Sequence, residues 1–335
     1  MARIYIAYTG GTIGMKKTDR GYVPTRGYLE ELMAAMPEFR HPSMPDYVVH
    51  EYDELLDSAN MTPEHWSMIA CDIRDHYEEY DGFIVIHGTD TMAYTASALA
   101  FQLEGLRKPV ILTGSQIPLC EVRNDARENL ITSLIVAARF KIPEVCLCFG
   151  IRLLRGCRST KVDADGFDAF ASPNYPTLGE VGVNIDIHWR RVREPLDVPF
   201  RVHEIGDPVV GALRLFPGIT AQLVRNVLQP PLQGLVLEAY GVGNAPQIPA
   251  LIDALDEASR RGVVIVDCTQ CLSGKVDLGD YATGTALARA GVISGSDMTA
   301  EAALTKLAFL FSRELSPEQV RDQMQQDLRG ELTLR

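Results

Sequence analysis

Three short stretches place hydroxyl groups beside glycines: Thr9-Gly10-Gly11-Thr12, Gly88-Thr89-Asp90-Thr91 and Thr113-Gly114-Ser115-Gln116. Glycine lets the backbone turn sharply and approach a ligand. The hydroxyls supply oxygens that attack or hydrogen-bond. A threonine hydroxyl is a weak nucleophile at neutral pH and needs a base, or a network that takes its proton. Tyr22 and Lys161 are candidates for such networks. Asp90, adjacent to Thr89, suits a lysine or a substrate ammonium group, with Asp57 as a second carboxylate. One glycine-hydroxyl stretch is ordinary turn chemistry. Three in one half of a chain point to a shared cleft for a small polar metabolite.

Other chemistries fit less well. The glycines at 10, 11 and 14 lack the spacing of a dinucleotide fingerprint. A phosphate loop, a GxSxG elbow and an HExxH pair are all missing from the sequence. Cys268-x-x-Cys271 is followed by Leu-Ser-Gly rather than a helix pattern, and the cysteines and histidines form no clear four-ligand spacing. We therefore expect no cofactor and no metal. His87 abuts the hydroxyl motif, yet we expect it to support the site rather than transfer a proton. Cys146 and Cys148 alternate on an expected strand and suit packing on one face.

These residues need elements to position them. RIYIAY, FIVI, PVIL and EVCLCF are short, apolar and rich in strand formers, and each empties into small or hydroxyl residues. MAYTASALAFQLEGL and DARENLITSLIVAARF are long enough to cross over a parallel sheet. In such sheets ligands gather beyond the carboxyl ends of the strands. A second α/β series starts at VVGALRLFPG and includes GLVLEAYGVG, QIPALIDALDEASRRG, GVVIVDCTQC and TAEAALTKLAFLFSREL, the last capped by Thr299. The expected organisation is an N-terminal catalytic α/β domain over 1–187, a linker over 188–207 and a C-terminal α/β domain over 208–335. WRRVR at 189–193 reads as a solvated connection.

The chain has 335 residues, 46% of them hydrophobic, enough for a large core. Its net charge of −12 argues against general nucleic-acid binding. MARIYIAYTGG does not read as a signal peptide, and no stretch reads as a membrane span. Seven cysteines, without a secreted disulfide framework, fit a reducing cytosol. The expectation is a cytoplasmic protein with no membrane or nucleic-acid partner.

YTGGTIG at 8–14 and HGTDTMAYTASAL at 87–99 resemble the two active-site motifs of the type I, cytoplasmic bacterial L-asparaginases. The likeness continues through LLDSANMTP, TGSQIP, RGCRSTKVDADGFDAFASPN, AYGVGNAP, TQCLSGKV and DLRGELT, and so covers nearly the whole chain. It implies a two-domain asparaginase-like fold, with a larger N-terminal parallel-sheet domain and a smaller C-terminal α/β domain. It implies hydrolysis of L-asparagine to L-aspartate and ammonia; glutamine, longer by one methylene, is expected to be a poorer substrate in a close-fitting pocket. Thr12 matches the nucleophile and Tyr22 its activating tyrosine. Thr89, Asp90 and Lys161 match a second hydroxyl-carboxylate-lysine network. Asp57 and Ser58 match the substrate-holding pair, with Asp90 sharing the α-amino group and Ser115 at the amide end. Backbone donors at Thr12 and Thr89 suit the developing oxyanion. The resemblance also implies a homo-oligomer, commonly a tetramer built as a dimer of dimers.

Some members have a second, allosteric asparagine site. Thr160 and Cys271 fit that region, but Glu238 stands where a compared member has arginine. Reversing the charge weakens contact with a carboxylate, so weak or absent cooperativity is expected. The alternative to an enzyme is an amino-acid-binding protein with the same cleft and no turnover.

Overall fold

The first apolar run becomes the strand on which the N-terminal sheet is built. In the computed structural model, which describes residues 1–334 except 20, 280 and 281, Arg3–Gly10 (β1) is buried from Ile4 onward. It runs parallel to Asp46–Leu56 (β2) on one side and Gly82–Ile86 (β3) on the other. Val110–Thr113 (β4) and Val145–Phe149 (β5) continue the parallel set. Arg152–Arg155 (β6), Gly179–Val181 (β7) and Ile185–Ile187 (β8) then extend it antiparallel, giving the order β8-β7-β6-β5-β4-β3-β1-β2.

Successive residues of these strands face opposite layers, as the period of two requires. Tyr5, Ala7, Phe83, Val85 and Leu112 enter one core, against helices α2 (Pro63–His76) and α3 (Met92–Gln102). Ile4, Ile6, Ile84, Ile86 and Ile111 enter the other, against α1 (Tyr28–Ala35) and α4 (Ala126–Arg139). A sheet covered on both faces needs apolar residues at every position. Cys146 and Cys148 both join the second layer, the shared face expected of them.

The chain divides into two units, Met1–His203 and Glu204–Arg335. Residues 188–203 belong to the first. Their backbone is held by a buried pair, with Arg155 Nη2 donating to Arg191 O at 2.8 Å and Arg193 N donating to Glu144 Oε1 at 2.6 Å. Arg201–Val202 also pairs with Leu103–Glu104. WRRVR is thus anchored at Arg191 and Arg193, whose carbonyl and amide groups satisfy the Arg155–Glu144 ion pair, while Trp189 and Arg190 stay exposed to solvent.

The second unit is a parallel sheet of Val210–Arg214 (β9), Gly234–Ala239 (β10), Val264–Thr269 (β11) and Ile293–Ser294 (β12). Its helices are α5 (Ala221–Val227), α6 (Pro249–Arg260), α7 (Ala282–Arg289), α8 (Ala300–Phe311) and α9 (Pro317–Met324). Thr299 caps α8 by accepting Ala302 N at 3.1 Å. Lys306 of α8 is wholly buried. It donates to Glu331 Oε1 at 2.5 Å, Gln326 O at 2.5 Å and Met324 O at 3.1 Å. No described helix is long and apolar enough to cross a membrane.

Asp267 on β11 breaks the usual rule for buried polar groups. It is fully buried, and among the described residues neither carboxyl oxygen has a hydrogen-bond partner. Burial pushes its pKa up to about 8. The folded value lies above the ordinary carboxyl value, so the folded chain holds a proton that the unfolded chain has released. This proton is neutral to stability below about pH 4, and holding it costs stability progressively as pH rises toward 8. Asp267→Asn is therefore expected to raise stability by roughly 3–4 kcal/mol at pH 7. It should also flatten the decline between pH 4 and 8. Urea unfolding of both proteins across that range measures it, and equal pH dependence would reject the assignment.

Candidate active site

The four parallel strands β4, β3, β1 and β2 are neighbours, and each ends in one of the motifs. The chain passes from β1 to β2 on one side, then returns on the other side as β3 and β4. Order reverses at β1, and a crevice opens outside the carboxyl ends of strands at such a point. The glycines let the ends touch. A Cβ on Gly10 (φ 124°) would overlap the carbonyl of Leu56, and one on Gly11 (φ 88°) would stand 2.5 Å from Gly88 N. A Cβ on Gly88 would stand 2.5 Å from Ser58 Oγ. Gly11 N donates to Leu56 O at 3.1 Å, and Thr91 Oγ1 donates to Ser58 O at 2.7 Å. The loops carrying Thr12, Ser58 and Thr89 thus meet through backbone contact.

Lys161 comes from a short strand, Thr160–Lys161, paired with Phe170–Ala171. Its Nζ donates to Thr89 Oγ1 at 2.9 Å and to Asp90 Oδ1 at 2.7 Å. Thr89 Oγ1 donates in turn to Gln116 Oε1 at 3.2 Å. The Gln116 amide is oriented because its Nε2 donates to Ala164 O at 3.0 Å and Gly166 O at 3.2 Å. Asp125 holds that loop by accepting the N–H groups of Gln116 and Ile117. The Thr89 side chain therefore accepts from a cation and donates to a fixed amide oxygen.

Asp57 caps the 3-10 turn Ser58–Asn60, accepting Ala59 N at 3.1 Å. Ser58 is buried and Asp57 is exposed. Ser115 is also buried, and its hydroxyl donates to Ile117 O at 2.7 Å within its own loop. Thr12 opens the turn Thr12–Gly14 directly after Gly11. Tyr22 lies on the hairpin of Met15–Thr18 and Gly21–Pro24. Its phenol donates to Glu121 Oε1 at 2.6 Å, which raises its pKa. Among the described residues it makes no hydrogen bond to Thr12. Leu119 N donates to Ile13 O at 3.0 Å, so the 116–125 loop is joined both to the turn that follows Thr12 and, through Glu121, to the hairpin.

His87 is buried between β3 and α3, and burial lowers its pKa to about 4. Its Nδ1 lies 2.7 Å from Gly88 O and its Nε2 lies 2.8 Å from Thr95 Oγ1. Gly88 O only accepts, so Nδ1 carries the proton and Nε2 accepts from the Thr95 hydroxyl. Thr95 Oγ1 in turn accepts Trp66 Nε1–H at 3.1 Å. Every proton in this chain is accounted for with a neutral ring.

Gln116, Glu121 and Asp125 have no assigned role in the sequence analysis. Gln116 stands inside the TGSQ motif and was open to a role as partner for a hydroxyl. Glu121 lies 99 positions from Tyr22, and nothing in its neighbourhood signals the pairing.

Thr160 lies in the first unit, and Glu238 and Cys271 lie in the second. Glu238 is paired with Arg214 at 3.1 Å across adjacent strands. Cys271 is exposed and unbonded to Cys268, which is buried.

Residues 3–193 match the family model "Asparaginase, N-terminal", and residues 209–324 match "Glutaminase/Asparaginase C-terminal domain". The sequence is 57% identical to L-asparaginase 1 of Escherichia coli K12 over 334 residues, covering 98% of each chain. The fold is similar to the crystal structure of L-asparaginase I from Vibrio cholerae. The TM-score is 0.93 at 54% identity, with 99% of each chain covered. It also resembles the thermostable L-asparaginase of Thermococcus kodakarensis, with a TM-score of 0.89 at 33% identity over 99% of this chain and 100% of that one. Both halves of the sequence, and a sheet whose glycine-hydroxyl ends converge at one switch point, place this chain in the type I bacterial L-asparaginase family.

Proposed function

We propose that the chain hydrolyses L-asparagine to L-aspartate and ammonia, in the cytosol. The observation that carries this is the Lys161–Thr89–Asp90 cluster, held against the Gly11 and Ser58 loops by backbone contact. A carboxylate and two hydroxyl loops in one crevice suit a zwitterion with a polar amide. Asp57 and Asp90 take the α-amino group, Ser58 takes the α-carboxylate, and Ser115 shapes the amide end.

Thr12 Oγ attacks the side-chain amide carbon, and its proton is removed through Tyr22. Tyr22 is bonded to Glu121 and must turn from it, or pass its own proton to it, as it accepts. Negative charge on the former carbonyl oxygen is met by the backbone N–H groups of Thr12 and Thr89. Ammonia leaves with a proton from the network, and an aspartyl ester remains. Water, oriented at Thr89 and Lys161, cleaves the ester and regenerates Thr12. The proposed working form is a homo-oligomer, a tetramer arranged as two dimers.

Time-resolved ammonia release from L-asparagine tests the reading. The native protein should turn over. Thr12→Ala and Thr89→Val should each lower kcat by at least about 10³-fold, because the members of such a unit are not additive. Tight aspartate binding without any ammonia would mark a binding protein instead. Normal turnover in both variants would remove these threonines from the mechanism.

A further inference from the structure

A peptide plane is rigid, and in its trans form the C=O and the following N–H point in opposite directions. The Gly88–Thr89 peptide is trans, since the only cis bond among the described residues joins Pro230 and Pro231. Its carbonyl is gripped by His87 Nδ1–H at 2.7 Å from the side facing Thr95 and α3. Thr89 N–H must then point away from that core. It makes no hydrogen bond to any described group, although Thr89 is 7% exposed. An unpaired backbone donor on a nearly buried residue is uncommon.

We propose that His87 is a positioning residue for catalysis, clamping Gly88 O so that Thr89 N–H stays aimed at the oxygen that gains negative charge. The clamp is anchored at its far end. Trp66 Nε1–H donates to Thr95, and Thr95 O–H donates to His87 Nε2, which leaves the ring one orientation and one tautomer. The ring does not touch substrate and transfers no proton. A donor fixed in advance stabilises a transition state without reorganising during the reaction.

This inference rests on the asparaginase reading, and its test separates the two. Asparagine places its side-chain nitrogen where histidine has Nδ1, so His87→Asn keeps a donor for Gly88 O. Glutamine places its amide near the Nε2 position, so His87→Gln keeps the Thr95 contact and loses the clamp. Steady-state kinetics with L-asparagine should show kcat lowered on the order of 10²-fold in His87→Gln, with KM within about threefold. His87→Asn should recover to within about tenfold of the native kcat. The Kd for L-aspartate, measured by calorimetry, should be alike in all three proteins.

Equal kcat in the asparagine and glutamine variants would overturn the proposal, as would an effect confined to KM. If one variant fails to fold, Thr95→Val serves in its place. It frees the ring at Nε2, and it should lower kcat with KM unchanged; native kcat would overturn the proposal. Absence of turnover in the native protein would instead reject the asparaginase reading itself.

Discussion

Lys161→Met is expected to lower kcat for asparagine by roughly 10²–10⁴-fold, the range for losing a positioned proton-transfer partner. Lys161 is the sole cation bonded to Thr89 Oγ1 among the described residues, and it holds Asp90 at the same time. Methionine matches its length and removes the three donors. Thr89 then keeps only the Gln116 contact and can rotate away from the crevice. The fold should survive, because Asp90 is largely exposed and is not left as a buried unpaired charge. Burst kinetics separate the two chemical steps. If Lys161 serves ester cleavage, ammonia should appear in a first turnover and then stall. A kcat within tenfold of native, with normal aspartate formation, would remove Lys161 from the chemistry.

The largest loss of stability is expected at the other end of the chain, from Lys306→Met. Lys306 and Glu331 are both inaccessible to solvent. The ammonium places all three donors, and Glu331 also accepts Leu328 N and Arg329 N. Removing only the cation leaves a carboxylate buried with two amides and no opposite charge. That typically costs about 3–5 kcal/mol. Adding Glu331→Gln removes the stranded charge while keeping an oxygen for those amides, and should recover part of the loss. Urea midpoints at one fixed protein concentration measure both, since assembly shifts apparent stability. A single variant as stable as native would show that the pair carries no net charge burden.

Much of the first sheet was legible because its strands are buried on both faces. FIVI, PVIL and VCLCF can hardly be anything else once helices of crossover length lie between them. The edge strand Asp46–Leu56 was not legible. Its burial alternates and five of its eleven residues are Asp, Glu or His, as an edge with one solvated side permits. Missing that strand hid the physical reason for Asp57 and Ser58, which sit at its carboxyl end. Asp57 entered as a second carboxylate beside Asp90, and the family resemblance alone drew in Ser58. The glycine-hydroxyl ends of β1, β3 and β4 were visible as a repeated pattern, yet the order β4-β3-β1-β2 that makes them adjacent is a property of pairing. Tyr22 with Glu121 and Lys161 with Thr89 are joined across 99 and 72 positions. Such contacts leave no local trace in residue type.

The glycine contact between the ends of β1 and β3 fixes a length scale. Those strands are hydrogen-bonded neighbours, so the loops bearing Thr12 and Thr89 inherit the interstrand repeat of roughly 4.8 Å. Side-chain replacement cannot widen that gap, because even a methyl at residue 11 or 88 collides with the facing backbone or with Ser58. Efforts to admit bulkier amides would do better to diversify the hairpin at 15–24 and the segment at 116–125. Both border the crevice without setting its width.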